Sequence, residues 1–302
     1  MNTKIIKALK NPYYACELLL NQFAPYVSDE RFVKWKYYLN FKKKLSLENP
    51  QTFNEKLQWL KLYDQHEEYT KMVDKCEAKK YVASIIGEEY IIPTLGVYNR
   101  FDEIVFDKLP NQFVLKCTHN SGGIVICKDK ATLDICKAKK LMDRWIKINP
   151  FWKNREYPYK GITPRIIAEK YMEDESGYEL KDYKFFCFDG KARMLFVASD
   201  RGMVNTETKF DFYDTNWNHL PFTNGHPNSD KIISKPSHFD VMVKLVERLS
   251  KGLPHVRVDL YNINGKIYFG EMTFFHWSGL VPFIPIEWDY KIGQWLELPM
   301  LS

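Results

Sequence analysis

The six cysteines of this 302-residue chain, Cys16, Cys76, Cys117, Cys127, Cys136 and Cys187, include no C-x-x-C pair. That spacing argues against a structural zinc site or a disulfide framework, and the thiols inside apolar strand-like runs read as small hydrophobes. No apolar run approaches the ~20 residues that span a bilayer, and the N-terminus lacks the compact apolar stretch and small-residue cleavage site of a secretory signal. The expected compartment is the cytoplasm. Neither G-x-x-x-x-G-K-[ST] nor G-x-G-x-x-G occurs, which removes support for a P-loop or a Rossmann site. An Asp-x-Asp triplet is also missing, which weighs against a nucleotide-sugar metal site. The seven histidines are scattered and form no convincing Ser-His-Asp or Cys-His constellation. There is no internal repeat and no low-complexity tract.

What is present is apolar material for a sizeable core, 45% hydrophobic and 16% aromatic, in a chain long enough for two or three sub-domains. The net charge is +6, and the first fifty residues hold nine Lys or Arg against four acids, so most of the excess sits there. Phe32-Val33-Lys34-Trp35-Lys36-Tyr37-Tyr38 and Phe41-Lys42-Lys43-Lys44 mix aromatics with cations, which suits an anionic membrane surface or a polyanionic acceptor. The plainer reading is a solvated helix face with aromatics packed beneath. No recognition motif accompanies the charge, so nucleic acid is not an expected partner.

Residues 1–72 read as a helical lead-in, with Thr52 and Glu55 in capping-box spacing ahead of an apolar stripe. A second helix is expected from about Lys75 to Ile86, ending at Gly87, and then a short strand from Leu95 to Tyr98. Phe113 to Cys117 and Ile124 to Cys127 are β-rich runs around Thr118-His119-Asn120-Ser121-Gly122-Gly123, which reads as a small, flexible hairpin tip outside the core. Helix is expected over 132–149, loop over 150–164, and strand from Arg165 to Tyr171. Lys184 to Phe188 and Ala192 to Ala198 form an Asp-Gly hairpin, followed by a strand near Lys209 to Tyr213. A polar loop over 214–236, an amphipathic helix from His238 to Leu253, and a last hairpin complete the chain.

That last hairpin carries the chemistry. Alternation places Arg257 and Asp259 on one face, and Asn264-Gly265 turns the chain into a partner strand bearing Glu271. Asp259 and Glu271 are expected to meet across the ladder, where two like charges need a cation or a basic side chain. Magnesium is commonly held by one or two carboxylates together with substrate phosphates. A solvated charged hairpin is the bland alternative. Upstream, Lys116 lies mid-strand beside Ser121-Gly122-Gly123, an arrangement that can hold phosphate oxygens with backbone N–H groups and one cation. Alone it equally describes a snorkelling lysine beside an ordinary turn.

Taken in order, Asp74-Lys75 with Lys79, Phe113 to Lys116 with Ser121-Gly122-Gly123, Ile166 to Met172, Arg257-Val258-Asp259 and Glu271-Met272-Thr273 resemble the blocks of the ATP-grasp superfamily. Asn49 to Lys61 and Gly270-Glu271-Met272-Thr273-Phe274 resemble its TupA-like, teichuronopeptide-biosynthesis branch, over roughly residues 28–295. The resemblance implies an α+β ATP-grasp fold, in which two α+β lobes grip ATP between antiparallel sheets behind the helical lead-in. The corresponding division is a basic lead-in over 1–72, a linking α/β segment over 73–110, a small lobe over 111–172, and a large lobe with the metal site over 173–302.

The resemblance also implies roles. Lys79 and Lys116 would contact nucleotide phosphates, and the Ser121-Gly122-Gly123 tip would close over the triphosphate. Glu169, Lys170, Tyr171 and Met172 would form the hinge that reads the adenine edge. Glu173, Asp174 and Glu175 are all candidates for the ribose. Lys184 would be a further phosphate-facing cation, and Arg257 would stabilise charge on the transferred phosphoryl group. Asp259, Glu271 and Thr273 would hold Mg2+; the family usually has Asn where Thr273 stands. His276 is the histidine nearest this site.

The activity so implied is carboxylate–amine ligation through an acylphosphate, with ATP, an amino acid or peptide, and a uronic-acid glycan of a surface polymer as ligands. Peripheral contact with membrane-bound polymer machinery through the basic N-terminal segment fits the same picture, at the inner face of the membrane. A glycosyltransferase or a sugar kinase of the same pathway, or a nucleotide-binding subunit without catalysis, are the competing readings.

Overall fold

The computed structural model describes residues 11–174, 180–200 and 207–300. Of the three ribose candidates, Glu175 lies outside the described residues. The lead-in is helical as expected, with α1 Pro12–Gln22, α2 Asp29–Phe41, α3 Phe53–Tyr63 and α4 Glu68–Val73 ahead of α5 Glu77–Ile86. The capping box forms at the head of α3: Thr52 Oγ1 accepts from the Glu55 amide at 3.2 Å, and Glu55 Oε2 accepts from the Thr52 amide at 3.1 Å. This fixes where α3 starts. Phe53, the next residue, is thereby driven into a cluster with Phe186, Phe188, His255 and Phe283, at ring separations of 5.0 to 6.1 Å.

Four strands make the smaller sheet: β1 Thr94–Tyr98, β2 Phe113–Cys117, β3 Ile124–Cys127 and β4 Ile166–Lys170. They run antiparallel in the order β1-β4-β2-β3, so the 73–110 segment contributes a strand to the sheet of the 111–172 lobe. Strand alternation sorts β2 into two faces. Phe113, Leu115 and Cys117 are buried with Ala138 and Met142 of α6 Ile135–Trp145, while Val114 and Lys116 stay half-buried on the opposite face. Helix α6 is shorter than the expected 132–149, because Asp134 caps it by accepting from the Lys137 amide at 2.8 Å. Part of the expected 150–164 loop is helical, as α7 Phe151–Asn154 and a 3-10 turn at Tyr157–Tyr159.

The larger sheet holds β5 Asp182–Phe188, β6 Lys191–Ser199 and β7 Lys209–Asp214. After the two-residue strand β8 Thr223–Asn224 and helix α8 Phe239–Ser250 come β9 Val256–Ile263 and β10 Lys266–Thr273. The order is β10-β9-β5-β6-β7, antiparallel throughout, while β8 pairs separately with β11 Phe283–Ile284, ahead of α9 Glu287–Trp295. Tyr183, Phe185, Val258 and Leu260 share one face of this sheet, and Phe185 stacks on Phe239 of α8 at 5.8 Å. Lys184, Phe186, Arg257 and Asp259 share the other, toward Phe53. The class is thus the α+β, two-sheet arrangement that was expected, and period-two alternation assigns the charged residues to one face.

Candidate active site

The turn Asn264-Gly265, with φ of 51° and 81°, joins β9 to β10 as a two-residue hairpin. Unbroken pairing from this turn would place Gly270, not Glu271, opposite Asp259, and would send Glu271 to the α8 face. A bulge between Phe269 and Glu271 corrects the phase: Glu271 pairs with Asp259 and Thr273 with Arg257. Gly270 permits it, since a Cβ there would lie 3.0 Å from the Asp259 carbonyl oxygen. The expected meeting of the two acids is what the ladder shows.

Their charges are met by basic side chains. Arg257 grips Asp259 with both ends of its fork, Nε to Oδ1 at 2.7 Å and Nη2 to Oδ2 at 2.9 Å. The same Nη2 donates to Glu271 Oε1 at 3.0 Å and to Thr273 Oγ1 at 3.1 Å, and the Thr273 hydroxyl lies 3.4 Å from Glu271 Oε1. Lys184, opposite Asp259 on β5, pairs with it and also approaches Asp182 at 3.4 Å. Asp259 is fully buried. Burial would raise the Glu271 carboxyl, but Lys184, Arg257 and Lys75 hold it down at about 2.

Behind Arg257 stands His276. Its Nδ1 lies 2.9 Å from Arg257 Nη1, its Nε2 lies 2.8 Å from Asn224 Oδ1, and the Asn224 amide donates to the Val281 and Pro282 carbonyls at 3.1 Å. Burial first, then the neighbouring guanidinium, holds the imidazole well below its usual pKa. Next to it, Trp277 and Ser278 are left-handed, at φ of 48° and 58°. Lys61 fixes this turn from α3, donating to the Ser278 carbonyl at 2.8 Å and hydroxyl at 2.9 Å.

A second cluster sits on the smaller sheet. Glu169 of β4 is opposite Val114, on the same face as Lys116, whose Nζ is 2.7 Å from Glu169 Oε2. Lys79 of α5 pairs with the other carboxylate oxygen and donates to the Ile92 carbonyl at 2.7 Å. Burial opposes ionisation of Glu169, yet Lys116 and Lys79 hold it at about 2. Lys75 belongs to both clusters electrostatically. Burial lowers its ammonium, while Glu271 of the large sheet and Glu169 of the small one pull it up. Its Nζ donates to the Asn120 carbonyl at 2.6 Å, directly beneath the glycine tip.

The tip itself differs from the expected small flexible turn outside the core. Thr118, His119 and Asn120 are buried, and a Cβ on Gly122 would meet the Trp145 ring at 2.3 Å. The glycines are there because the backbone lies against α6; Ser121 is the residue left exposed. At the hinge, the Lys170 amide donates to the Pro93 carbonyl at 3.0 Å, and the Tyr171 hydroxyl to Glu173 Oε2 at 3.0 Å. Met172 is half-buried, and Asp174 is buried against Lys181, Oδ2 to Nζ at 3.3 Å.

Sequence reasoning named Lys75 beside Asp74 without giving it a role, and left Asn224 and Tyr159 out of the site. Tyr159 is raised by burial, then by Glu156 and Glu271, and it sits in an aromatic loop with no motif to mark it. Among the described residues, Asp74, Cys76 and Glu77 place His, Cys, Asp or Glu ligand atoms within 4.8 Å of one another. They are a helix start rather than a metal centre: Asp74 Oδ1 accepts from the Cys76 and Glu77 amides at 2.8 and 3.0 Å, and Arg165 neutralises both acids. Asp259, Glu271 and Thr273 instead offer hard oxygen donors on one face, the chemistry magnesium takes.

A family model described as TupA-like ATPgrasp matches residues 55–297. No curated protein matches the sequence. Among solved structures, the chain is similar to the ATP-grasp ligase PsnB complexed with minimal precursor, Mg and ADP, at 11% identity and TM-score 0.41, covering 73% of this chain and 57% of that one. It is similar to the D-alanine–D-alanine ligase of Bacillus anthracis complexed with ATP, at 16% identity and TM-score 0.40, over 74% and 66%. The D-alanine–D-alanine ligase of Helicobacter pylori gives 14% identity and TM-score 0.42, over 82% and 70%. The chain therefore spans little more than half of the two PsnB chains, 57% and 54%.

Proposed function

The chain belongs to the TupA-like ATP-grasp family, and from that membership we propose that it is an ATP- and Mg2+-dependent ligase that joins a carboxylate to an amine through an acylphosphate. The observation that carries the proposal is the opposition of Asp259 and Glu271 across the bulged ladder, with Arg257 and Lys184 on the same face. In this reading a substrate carboxylate oxygen attacks the γ-phosphorus and ADP leaves. An amine nitrogen then attacks the acyl carbon, the C–O bond to phosphate breaks, and the amine loses a proton.

The chain's own residues supply positioning and charge. Asp259, Glu271 and Thr273 would hold magnesium, which when bound screens the phosphate oxygens as a Lewis acid. Arg257 and Lys184 would turn from their carboxylate partners to the charge developing on the transferred group. Lys79, Lys116 and Lys75 would line the phosphates under Ser121, Gly122 and Gly123. Glu169 to Met172 would seat the adenine, and Glu173, Asp174 or Glu175 the ribose. The lead-in would end at residue 72 and the lobes would divide at 172, with the segment over 73–110 joining the small lobe through β1 instead of standing apart at 110.

The acceptor side of the proposal is an amino acid or peptide joined to a uronic-acid-containing surface polysaccharide, made at the inner face of the membrane. It rests on the family resemblance and on the basic N-terminal segment. Thr273 in place of the usual Asn keeps a second reading, a sugar kinase, in play. Thermal shift with ATP, with and without Mg2+, tests the site on wild type, Lys116→Ala and Glu271→Ala. Mg2+-dependent stabilisation that both variants lose is the expected result, and no stabilisation of wild type would sink it. Free phosphate with acceptor marks a ligase; phosphate retained on the acceptor marks a kinase.

A further inference from the structure

We infer that the outer face of α1 and α2 is a docking surface for an anionic phospholipid bilayer. Between the two helices runs a groove of about 430 Å³ with an almost wholly apolar lining that includes Leu19, Leu20, Phe23, Trp35, Tyr38 and Leu39. Leu19, Phe23 and Trp35 are each more than half exposed, at 55%, 53% and 55%, and neighbouring Tyr26 is 87% exposed. Large apolar side chains clustered this way mark a contact surface rather than scattered surface residues.

The helices that carry them are held firmly from the inside. Phe32 packs with Leu20 and Ala24 in a small core of its own. Lys36 is buried, paired with Glu17 at 3.0 Å and donating to Asn21 Oδ1 at 2.7 Å and to the Lys153 carbonyl at 3.1 Å. Buried Arg155 pairs with Asp29 and stacks on the Phe32 ring at 4.2 Å. Hence the outward apolar side chains are presented by an anchored two-helix unit.

Charge identifies the occupant. On α2, Arg31, Trp35 and Tyr38 follow the 4-3 spacing of a single exposed stripe, and the chain leaves the helix through exposed Lys42, Lys43 and Lys44, so cations stand before and after the aromatics. Lys42 Nζ lies 3.1 Å from the ring centroid of Tyr13 in the first turn of α1. A cationic rim around Trp, Tyr, Phe and Leu matches the headgroup level of an anionic leaflet, with phosphates outside and acyl chains within. A second copy of the chain would bring the same cations face to face across a two-fold axis. A soluble polyanion would leave the groove uncovered. The inference stands whether or not the ligase reading does, because its test reads binding and not turnover.

The test is sedimentation of the full chain with phosphatidylcholine vesicles and with vesicles that also contain phosphatidylglycerol. Pelleting is expected only with the second, falling as salt rises, with a loss of roughly fivefold in affinity for each basic residue removed from the rim. The double variant Phe23→Glu/Trp35→Glu should lose at least tenfold with its thermal midpoint unchanged. Lys43→Glu/Lys44→Glu should lose the salt-sensitive part. Absence of pelleting with either vesicle would overturn the inference. So would Phe23→Glu/Trp35→Glu pelleting like wild type, or a wild-type dimer in solution that this variant dissolves.

Discussion

His276 Nδ1 accepts a hydrogen bond from Arg257 Nη1 at 2.9 Å. A guanidinium only donates, so the proton on the ring must be on Nε2, where it reaches Asn224 Oδ1 at 2.8 Å. Asn224 is fixed in that sense because its amide faces two carbonyls. The imidazole is therefore an acceptor that aims Arg257, and burial keeps it neutral.

His276→Phe keeps the ring volume and removes the acceptor. A hydrogen bond to a charged group contributes about 1.5–3 kcal/mol, so kcat should fall roughly ten- to hundredfold on the ligase reading. KM for ATP should move little, because the cluster of Lys79, Lys116 and Glu169 is untouched. A loss confined to KM would show that His276 does not act through Arg257.

The bulge at Gly270 yields a sharper test than any side-chain truncation. Deleting Gly270 removes the bulge and leaves Glu271 opposite Asp259, because Phe269 still pairs with Leu260 and Glu271 becomes the next residue in the ladder. Mg2+-dependent stabilisation by ATP should therefore survive the deletion, with far-ultraviolet circular dichroism still reporting the sheet. Loss of Mg2+ dependence in a folded deletion variant would mean that the opposition of Asp259 and Glu271 is not sufficient to hold the metal.

Glu169 links the smaller sheet to pH. Its folded pKa of about 2 lies below the ordinary 4.5, so the carboxylate contributes stability that is full above 4.5 and is lost as pH falls toward 2. The shift corresponds to roughly 3 kcal/mol. Glu169→Gln should therefore be less stable than wild type by about that much at pH 7, and the difference measured by urea unfolding should shrink through the acid range. An unchanged difference at low pH would contradict the ion-pair account.

Much of this architecture is legible before any coordinates. Alternation along β9 and the Asn264-Gly265 turn place Arg257, Asp259 and Glu271 near one another, and Thr52 with Glu55 marks the start of α3. What sequence patterns miss are displacements of phase and contacts distant along the chain. Gly270 announces a bulge only once the register on both sides is known. His276 stands three residues beyond Thr273, yet its role depends on Asn224, 52 residues earlier. The Ser-Gly-Gly tip reads as flexible because glycine is permissive, whereas here glycine serves the close approach of Trp145. Lys75 connects the clusters only through the fold.

Asp289 provides a pH dependence of the opposite sign. It is buried at the head of α9, and its oxygens accept from the Asn54 backbone and side-chain amides, both at 2.9 Å. Burial raises the carboxyl to about 6 against an ordinary 3.8, with the Asn54 bonds resisting the rise. A folded pKa above the unfolded one means that the folded protein holds the proton longer, so this group costs stability as pH rises from about 4 to about 6. Asn54→Ala removes one of the two opposing donors. The carboxyl should climb further, the window of falling stability should extend above pH 6, and unfolding at neutral pH should become easier by about 1–3 kcal/mol. The contact joins α3 to α9 across the chain, so the same variant should loosen the lead-in against the large sheet. Thermal midpoints of wild type and Asn54→Ala from pH 4 to pH 8 test this: parallel curves would show that Asp289 is not the titrating group.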